Sequence, residues 1–392
     1  MNASPFTGGR TLLARAAAAG AAGLALTAVG AVFDPRRALF AYLVAFTYWA
    51  GIALAALLFL MAFHASNARW MVVVRRLLEA IPLSGVLFLV LFVPIALGMR
   101  QLYPWVDLSG LSGEVRHIWE HRRPWLNVPF FLVRAGIYFA VWITVSHLLH
   151  RWSVRQDATG APDLTLKQRR LGTGALPLLA LIMTFAAVDW QMSLDQHLAS
   201  TIFGVYFFGG SFLGAVAVLI LGVVAARGQS LLDGLNENHL HSLGKFLLAF
   251  VSFWGYIGLS QYLLIWVANL PEEVPYYIVR DAGGWRPVGI FLVVFHFVLP
   301  FFLLLSRGLK RRPRPLAAMA VWALVVHYVD VYWVVMPRLH PGGPRPHWTD
   351  LTAFVGIGAA ALAFTVWRLR GRAIVPARDP YLEDSLRYEP QQ

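Results

Sequence analysis

Residues 39–63, LFAYLVAFTYWAGIALAALLFLMAF, form a run of 25 residues without one charged side chain. A helix of roughly 20 such residues crosses a hydrocarbon core about 30 Å thick. Backbone groups in lipid must be hydrogen-bonded within the segment, whereas a barrel strand needs only about ten alternating residues. This run therefore predicts a transmembrane α-helix.

Nine more apolar runs, each with at most one charged side chain, occur along the 392 residues, of which 58% are hydrophobic and only 14% are charged. Soluble domains carry far more charge. The sequence predicts an all-α integral membrane protein, with an N-terminal segment (1–11), a transmembrane domain (12–367) and a polar tail (368–392) that is extended or disordered unless docked. The ten predicted spans are 12–33, 39–63, 81–99, 128–149, 174–190, 202–226, 246–268, 288–305, 316–336 and 351–367.

The distribution of Lys and Arg predicts the orientation. Counted with Arg15 at the start of the first span, the segments on the side of the termini carry 22 of the 33 basic residues, and the opposite connections carry 10. Positive residues accumulate in the cytoplasm, so both termini are expected there. Arg10, Arg15 and the alanine-rich run after them imitate a signal peptide, but that run is long and lacks a clean cleavage site, so we expect a retained helix.

Composition also excludes several classes of function. Basic clusters such as 307–314 lie beside a membrane face, so lipid head groups explain the net charge of +13 without a nucleic-acid partner. The chain contains no cysteine. It therefore cannot attach haem through thioethers or hold an iron–sulfur cluster of the usual kind.

Three ionisable residues lie near the middle of predicted spans: His296 in the eighth span, and His327 and Asp330 in the ninth. A short connection joins the two spans, so the histidines are expected to approach each other. His327 and Asp330 are three residues apart and share one helix face. A carboxylate beside an imidazole at this depth suits a proton relay. Ordinary interhelical hydrogen bonding and paired axial ligation of a haem are the alternatives.

Three long sequence blocks carry a family resemblance. The first comprises DWQMSL (189–194), His197 and STIFGVYFFGG (200–210). The second comprises GKF (244–246), FW (253–254), Tyr256, SQYLLIW (260–266) and NLPEE (269–273), and the third is DVYWVVMP (330–337). Together they closely resemble ActF, the second NrfD-like (polysulfide-reductase-like) membrane subunit of bacterial alternative complex III. The resemblance extends over predicted spans two to ten.

The resemblance implies two four-helix bundles with additional helices, in the bacterial inner membrane. It implies a respiratory complex that oxidises quinol, menaquinol included, and reduces cytochrome c or a similar carrier. The implied partners are a multihaem cytochrome c, an iron–sulfur subunit and a paralogous NrfD-like membrane subunit. This chain would bind no cofactor or metal of its own, and whether it binds quinone stays open.

The resemblance also implies proton passage through half-channels, with Asp189, Lys245, His296, His327 and Asp330 as candidates. Asp189 would face the outside and Lys245 the inside. From its residues alone, Asp189 is equally compatible with ordinary interfacial solvation. A purely structural anchor for outer redox subunits and a proton-coupled secondary transporter are the alternative functions.

Overall fold

The computed structural model describes residues 5–111, 113–228, 232 and 234–389. It confirms the predicted all-α membrane fold: these residues contain no β-strand, and ten helices within them are long and apolar enough to cross a membrane. The helices are α1 Arg10–Phe33, α2 Pro35–Ser66, α3 Val72–Ala80, α4 Gly85–Leu91, α5 Val93–Leu97, α6 Met99–Leu102, α7 Gly113–Arg122, α8 Val128–Thr159, α9 Asp163–Trp190, α10 Phe203–Arg227, α11 Glu237–Ala268, α12 Val274–Arg280, α13 Trp285–Leu292, α14 Leu299–Leu305, α15 Arg307–Arg311, α16 Pro313–Val335, α17 Trp348–Leu369 and α18 Leu382–Leu386.

Several spanning helices extend well beyond the predicted apolar runs. Helices α2, α8 and α11 each contain 32 residues. A polar residue caps the first turn of each, and their helical turns continue past the predicted apolar run at one end or both. The side chain of Asn127 accepts the backbone N–H of Phe130 at 3.0 Å and starts α8, and Asn236 starts α11 in the same way.

The third span is not one continuous helix. It comprises a 3₁₀ turn at Arg69–Met71, helix α3, a second 3₁₀ turn at Pro82–Ser84, and helices α4 and α5. Pro82 and Pro94 lie at the two breaks, since proline removes a backbone donor and clashes with the preceding turn. The sequence predicted only residues 81–99 as this span, and the structure extends it towards the N-terminus.

Eight of the ten spanning helices form two packed groups of four. In the first group, α2, α3–α5, α8 and α9 contact one another, and in the second, α10, α11, α13–α14 and α16 do so. Helix α10 also packs on α2 and α9 and joins the groups, while α1 and α17 pack together and on α2. Helix α2 is almost completely buried, which explains why its sequence shows no polar face.

The described part of the C-terminal tail docks on the face of the bundle that carries both chain ends. Asp379 forms a buried ion pair with Arg75, and Ser385 donates to the backbone oxygen of Trp70 at 2.7 Å. The ring of Tyr388 stacks on Trp70 with 5.5 Å between centroids. The sequence alone favoured a free tail, because its partners lie about 300 positions earlier in the chain.

Candidate functional site

A buried cluster of two histidines and one aspartate lies inside the second helix group. His327 and Asp330 lie one turn apart on α16, and their Nδ1 and Oδ2 atoms are 3.6 Å apart. His296 comes from the neighbouring span, and its ring centroid is 6.3 Å from that of His327. All three residues are at least 98% buried. The two spans therefore bring the three residues together.

A π-helical segment positions His296. Residues Val293–Val298 adopt this wider helix between α13 and α14, and Pro300 follows one turn later. Such segments are rare and occur frequently at functional sites. The wider turn leaves His296 as the only buried residue of the segment.

Two further helices hold the carboxylate of Asp330. Tyr206 of α10 donates its hydroxyl to Oδ1, and Trp254 of α11 donates Nε1–H to Oδ2 at 3.1 Å. Asp330 is thus contacted from three helices, which fixes its orientation. These two donors could not be found from the sequence, because nothing in their local pattern links them to residue 330.

The imidazoles have a different environment. Among the described residues, no side chain or backbone group forms a hydrogen bond with any of the four ring nitrogens of His296 and His327. Their neighbours are aromatic. The ring centroid of Trp254 lies 3.8 Å from that of His296, and the ring centroid of Tyr48 lies 5.1 Å from that of His327. Since buried polar groups are normally paired, these nitrogens are the least satisfied part of the cluster.

A glycine makes room for the cluster. A Cβ atom at Gly210 of α10 would lie 2.5 Å from Cε1 of His327, closer than van der Waals contact allows. The absence of that atom lets α10 approach α16 at this level. This glycine therefore shapes the site, beyond the general helix packing that small residues permit.

The same donor set could coordinate a divalent cation. The closest ligand-type atoms of His296, His327 and Asp330 all lie within 4.8 Å of one another, and two imidazoles with a carboxylate are a common set for zinc or iron. Axial ligation of a haem fits less well. A macrocycle would need space that Trp254 and Asp330 fill.

Asp189 lies apart from this cluster, in the first helix group. Arg134 donates two hydrogen bonds to its carboxylate at 2.9 and 2.8 Å, Tyr138 donates at 2.8 Å, and Trp125 Nε1 donates at 3.0 Å. Every acceptor position of the carboxylate is therefore engaged. These contacts tie α8 to α9.

Lys245 is also separate from the cluster. It is exposed near the start of α11, on the face that carries the chain ends. The partial burial of Lys310 lowers the pKa of its own side chain, and the nearby positive charge of Lys245 lowers that pKa further. Asp189 and Lys245 therefore lie near opposite ends of the bundle, and the buried cluster belongs to neither end.

Polar groups also lie on the loop side of the cluster, opposite the chain ends. Gln261 of α11 is buried, donates to the hydroxyl of Tyr277 at 3.2 Å, and accepts from Ser200 at 3.5 Å. Burial raises the pKa of Tyr277 to about 12, so this hydroxyl stays protonated at neutral pH. Gln261 belongs to the second sequence block of the resemblance, whereas Tyr277 lies outside all three blocks.

No protein-family model and no curated protein sequence matches the chain. The structural observations above therefore carry the functional argument, together with the three sequence blocks.

Proposed function

We propose that this chain is a membrane subunit of a respiratory quinol:cytochrome c oxidoreductase of the alternative complex III type. In this proposal it lies in the bacterial inner membrane with both termini in the cytoplasm. It supports assembly and takes part in proton translocation coupled to quinol oxidation. Electron transfer belongs to its partners: a multihaem cytochrome c, an iron–sulfur subunit and a paralogous NrfD-like membrane subunit.

One observation carries the proposal. Residues from separate sequence blocks of the family resemblance meet at one buried point: Tyr206 and Gly210 from the first block and Asp330 from the third. Trp254, from the helix that carries the second block, donates to the same carboxylate. Packing alone does not require a tyrosine, a tryptophan and a glycine to converge on one intramembrane carboxylate. A function for that carboxylate explains the convergence.

The chemistry suits proton transfer. His296 and His327 offer unpaired ring nitrogens, and Asp330 and the Tyr206 hydroxyl share a hydrogen bond. A proton bound at an imidazole can pass to the carboxylate over a few ångströms, and aromatic walls limit access of bulk water. Moving one charge across about 100 mV requires roughly 2.3 kcal/mol, so quinol oxidation in a neighbouring subunit must drive net transport.

Asp189 and Lys245 remain proposed ends of the path, with different qualities. The exposed Lys245 could attract or release protons at the cytoplasmic mouth. Asp189 is held by four donated hydrogen bonds, which fix the orientation of its carboxylate.

Purification distinguishes the proposal from its main competitor. An affinity-tagged chain, extracted from its native membrane in mild detergent, should co-purify with proteins that show haem absorption and quinol:cytochrome c reductase activity. A chain that purifies alone, without haem absorption, would contradict the assignment to a redox complex and favour a secondary transporter. Spans three and eight are interrupted, but at positions that do not correspond between the two helix groups, so the structure gives no independent support to that alternative.

The relay itself is tested by Asp330→Asn, which keeps the size of the side chain and removes its titration. We expect the assembled complex to lose quinol-driven proton uptake by at least about tenfold. The control is Asp281→Asn, at an exposed position on the loop side. Unchanged proton stoichiometry and turnover in Asp330→Asn would leave only the structural anchor.

A further inference from the structure

A small cavity opens on the face that carries the chain ends, and its lining includes no residue of the His–Asp cluster. It lies between the end of α2, the turn at Arg69 and the first turns of α9, and Tyr381 of the docked tail closes one side. Its volume is about 30 Å³, close to the space that one water molecule or one phosphate oxygen occupies. The cavity can therefore receive one oxygen of a larger group.

Three arginines surround this cavity: Arg69, Arg75 and Arg169. Arg75 is already neutralised by Glu79 and Asp379. Arg69 pairs with Asp384 at 2.8 Å, but both side chains are half exposed, so solvent weakens that pair. Within the described chain, Arg169 makes neither an ion pair nor a side-chain hydrogen bond. The rim thus carries positive charge that is available to an anion.

A buried polar atom provides a second, independent observation. His64 lines the cavity, is 6% exposed, and its Nε2 has no hydrogen-bond partner among the described residues. An unpaired nitrogen at such a depth is costly unless a ligand atom completes it. The neutral imidazole can donate Nε2–H to an anionic oxygen.

The position of the cavity indicates the kind of ligand. Helix α2 ends at Ser66 and α9 begins at Asp163, so the cavity lies where the spanning helices leave the membrane. Leu166 lies on its edge and is 53% exposed. Basic pockets between spanning helices at this level are suited to anionic lipid head groups.

We propose that this cavity is a phosphate site, in which one anionic oxygen of a phospholipid head group or of free phosphate enters towards His64 while Arg169 and Arg69 hold the remaining oxygens. Arginine is suited to this role because its planar fork of donors matches phosphate geometry. The site is independent of the proton path. An occupied site would also fasten the tail, because Arg69 stacks on the Tyr381 ring at 4.6 Å.

The test uses the full-length chain, with its co-purifying partners if it has them, after removal of bound lipid by detergent exchange. Native mass spectrometry then measures retention of phosphatidylglycerol, phosphatidylcholine and inorganic phosphate in separate titrations. We expect phosphatidylglycerol to be retained more strongly than phosphatidylcholine. Arg169→Gln and His64→Phe should each weaken retention roughly tenfold, because each removes one charge-assisted contact.

Arg170→Gln is the matched control, since Arg170 is the exposed neighbour of Arg169 on the same helix and does not line the cavity. Competition by inorganic phosphate without a preference among lipids would identify free phosphate as the ligand and still support the site. Equal effects of Arg169→Gln and Arg170→Gln would overturn the proposal. So would wild-type retention in both Arg169→Gln and His64→Phe. Arg169 is exposed, so its variant should fold normally.

Discussion

The buried ion pair between Arg75 and Asp379 should fasten the C-terminal tail to the bundle, and Asp379→Asn tests this. Both side chains are at least 98% buried. Removing one partner of a buried pair typically costs 3–5 kcal/mol, because the remaining charge is left uncompensated. Here Glu79 stays 2.9 Å from Nε of Arg75. We therefore expect the lower end of that range, about 3 kcal/mol.

The same tail offers a matched control. Asp384 pairs with Arg69 at 2.8 Å, but these side chains are 49% and 51% exposed. An exposed pair contributes about 0–1 kcal/mol, so Asp384→Asn should behave almost like the wild type. The two variants make the same chemical change in one tail and differ in burial.

Thermal unfolding in detergent and limited trypsin digestion are the two assays. A loss of about 3 kcal/mol should lower the melting temperature of Asp379→Asn by roughly 5 °C or more. Trypsin should also cleave sooner after Arg378 and Arg387, which the docked tail places near the bundle surface. Identical melting and digestion of Asp379→Asn and Asp384→Asn would refute the idea that the buried pair fastens the tail.

Two further changes probe the interior. Gly210→Ala places a Cβ 2.5 Å from His327, so it should lower the stability of the protein by about 1–3 kcal/mol and slow proton uptake. Gly136→Ala is the control, because open space surrounds that glycine, and it should change neither quantity. Equal effects of the two variants in a melting and turnover assay would contradict the close approach of α10 to α16. Arg134→Gln leaves the buried Asp189 without its bidentate partner and should destabilise the protein by about 3–5 kcal/mol; a melting temperature equal to that of the wild type would show that this pair does not tie α8 to α9.

The fold could be predicted from the sequence because lipid permits few solutions. Apolar runs of sufficient length must become helices, and all ten appear in the structure. Helix ends were predicted less well. Helix α8 continues ten residues past its predicted end, to Thr159, and α11 starts nine residues before its predicted span, where capping by Asn236 rather than hydrophobicity decides its start.

Only part of the candidate site was accessible from the sequence. Periodicity places His327 and Asp330 on one helix face, and a short connection brings His296 towards them. Tyr206 and Trp254 lie on other helices, and only tertiary packing brings them to Asp330. The docking of the tail has the same cause, since Asp379 and Arg75 are 304 residues apart. The π-helical turn at His296 has no local sequence signature that we can identify.

The central claim is that Asp330 exchanges a proton during turnover, and infrared difference spectroscopy tests it most directly. Spectra of the intact complex before and after reduction by quinol should contain a carboxyl C=O band that disappears in Asp330→Asn and persists in Asp281→Asn. Tyr206→Phe, which removes the hydroxyl donated to Asp330, should shift that band. A difference spectrum of Asp330→Asn identical to that of the wild type would contradict the account.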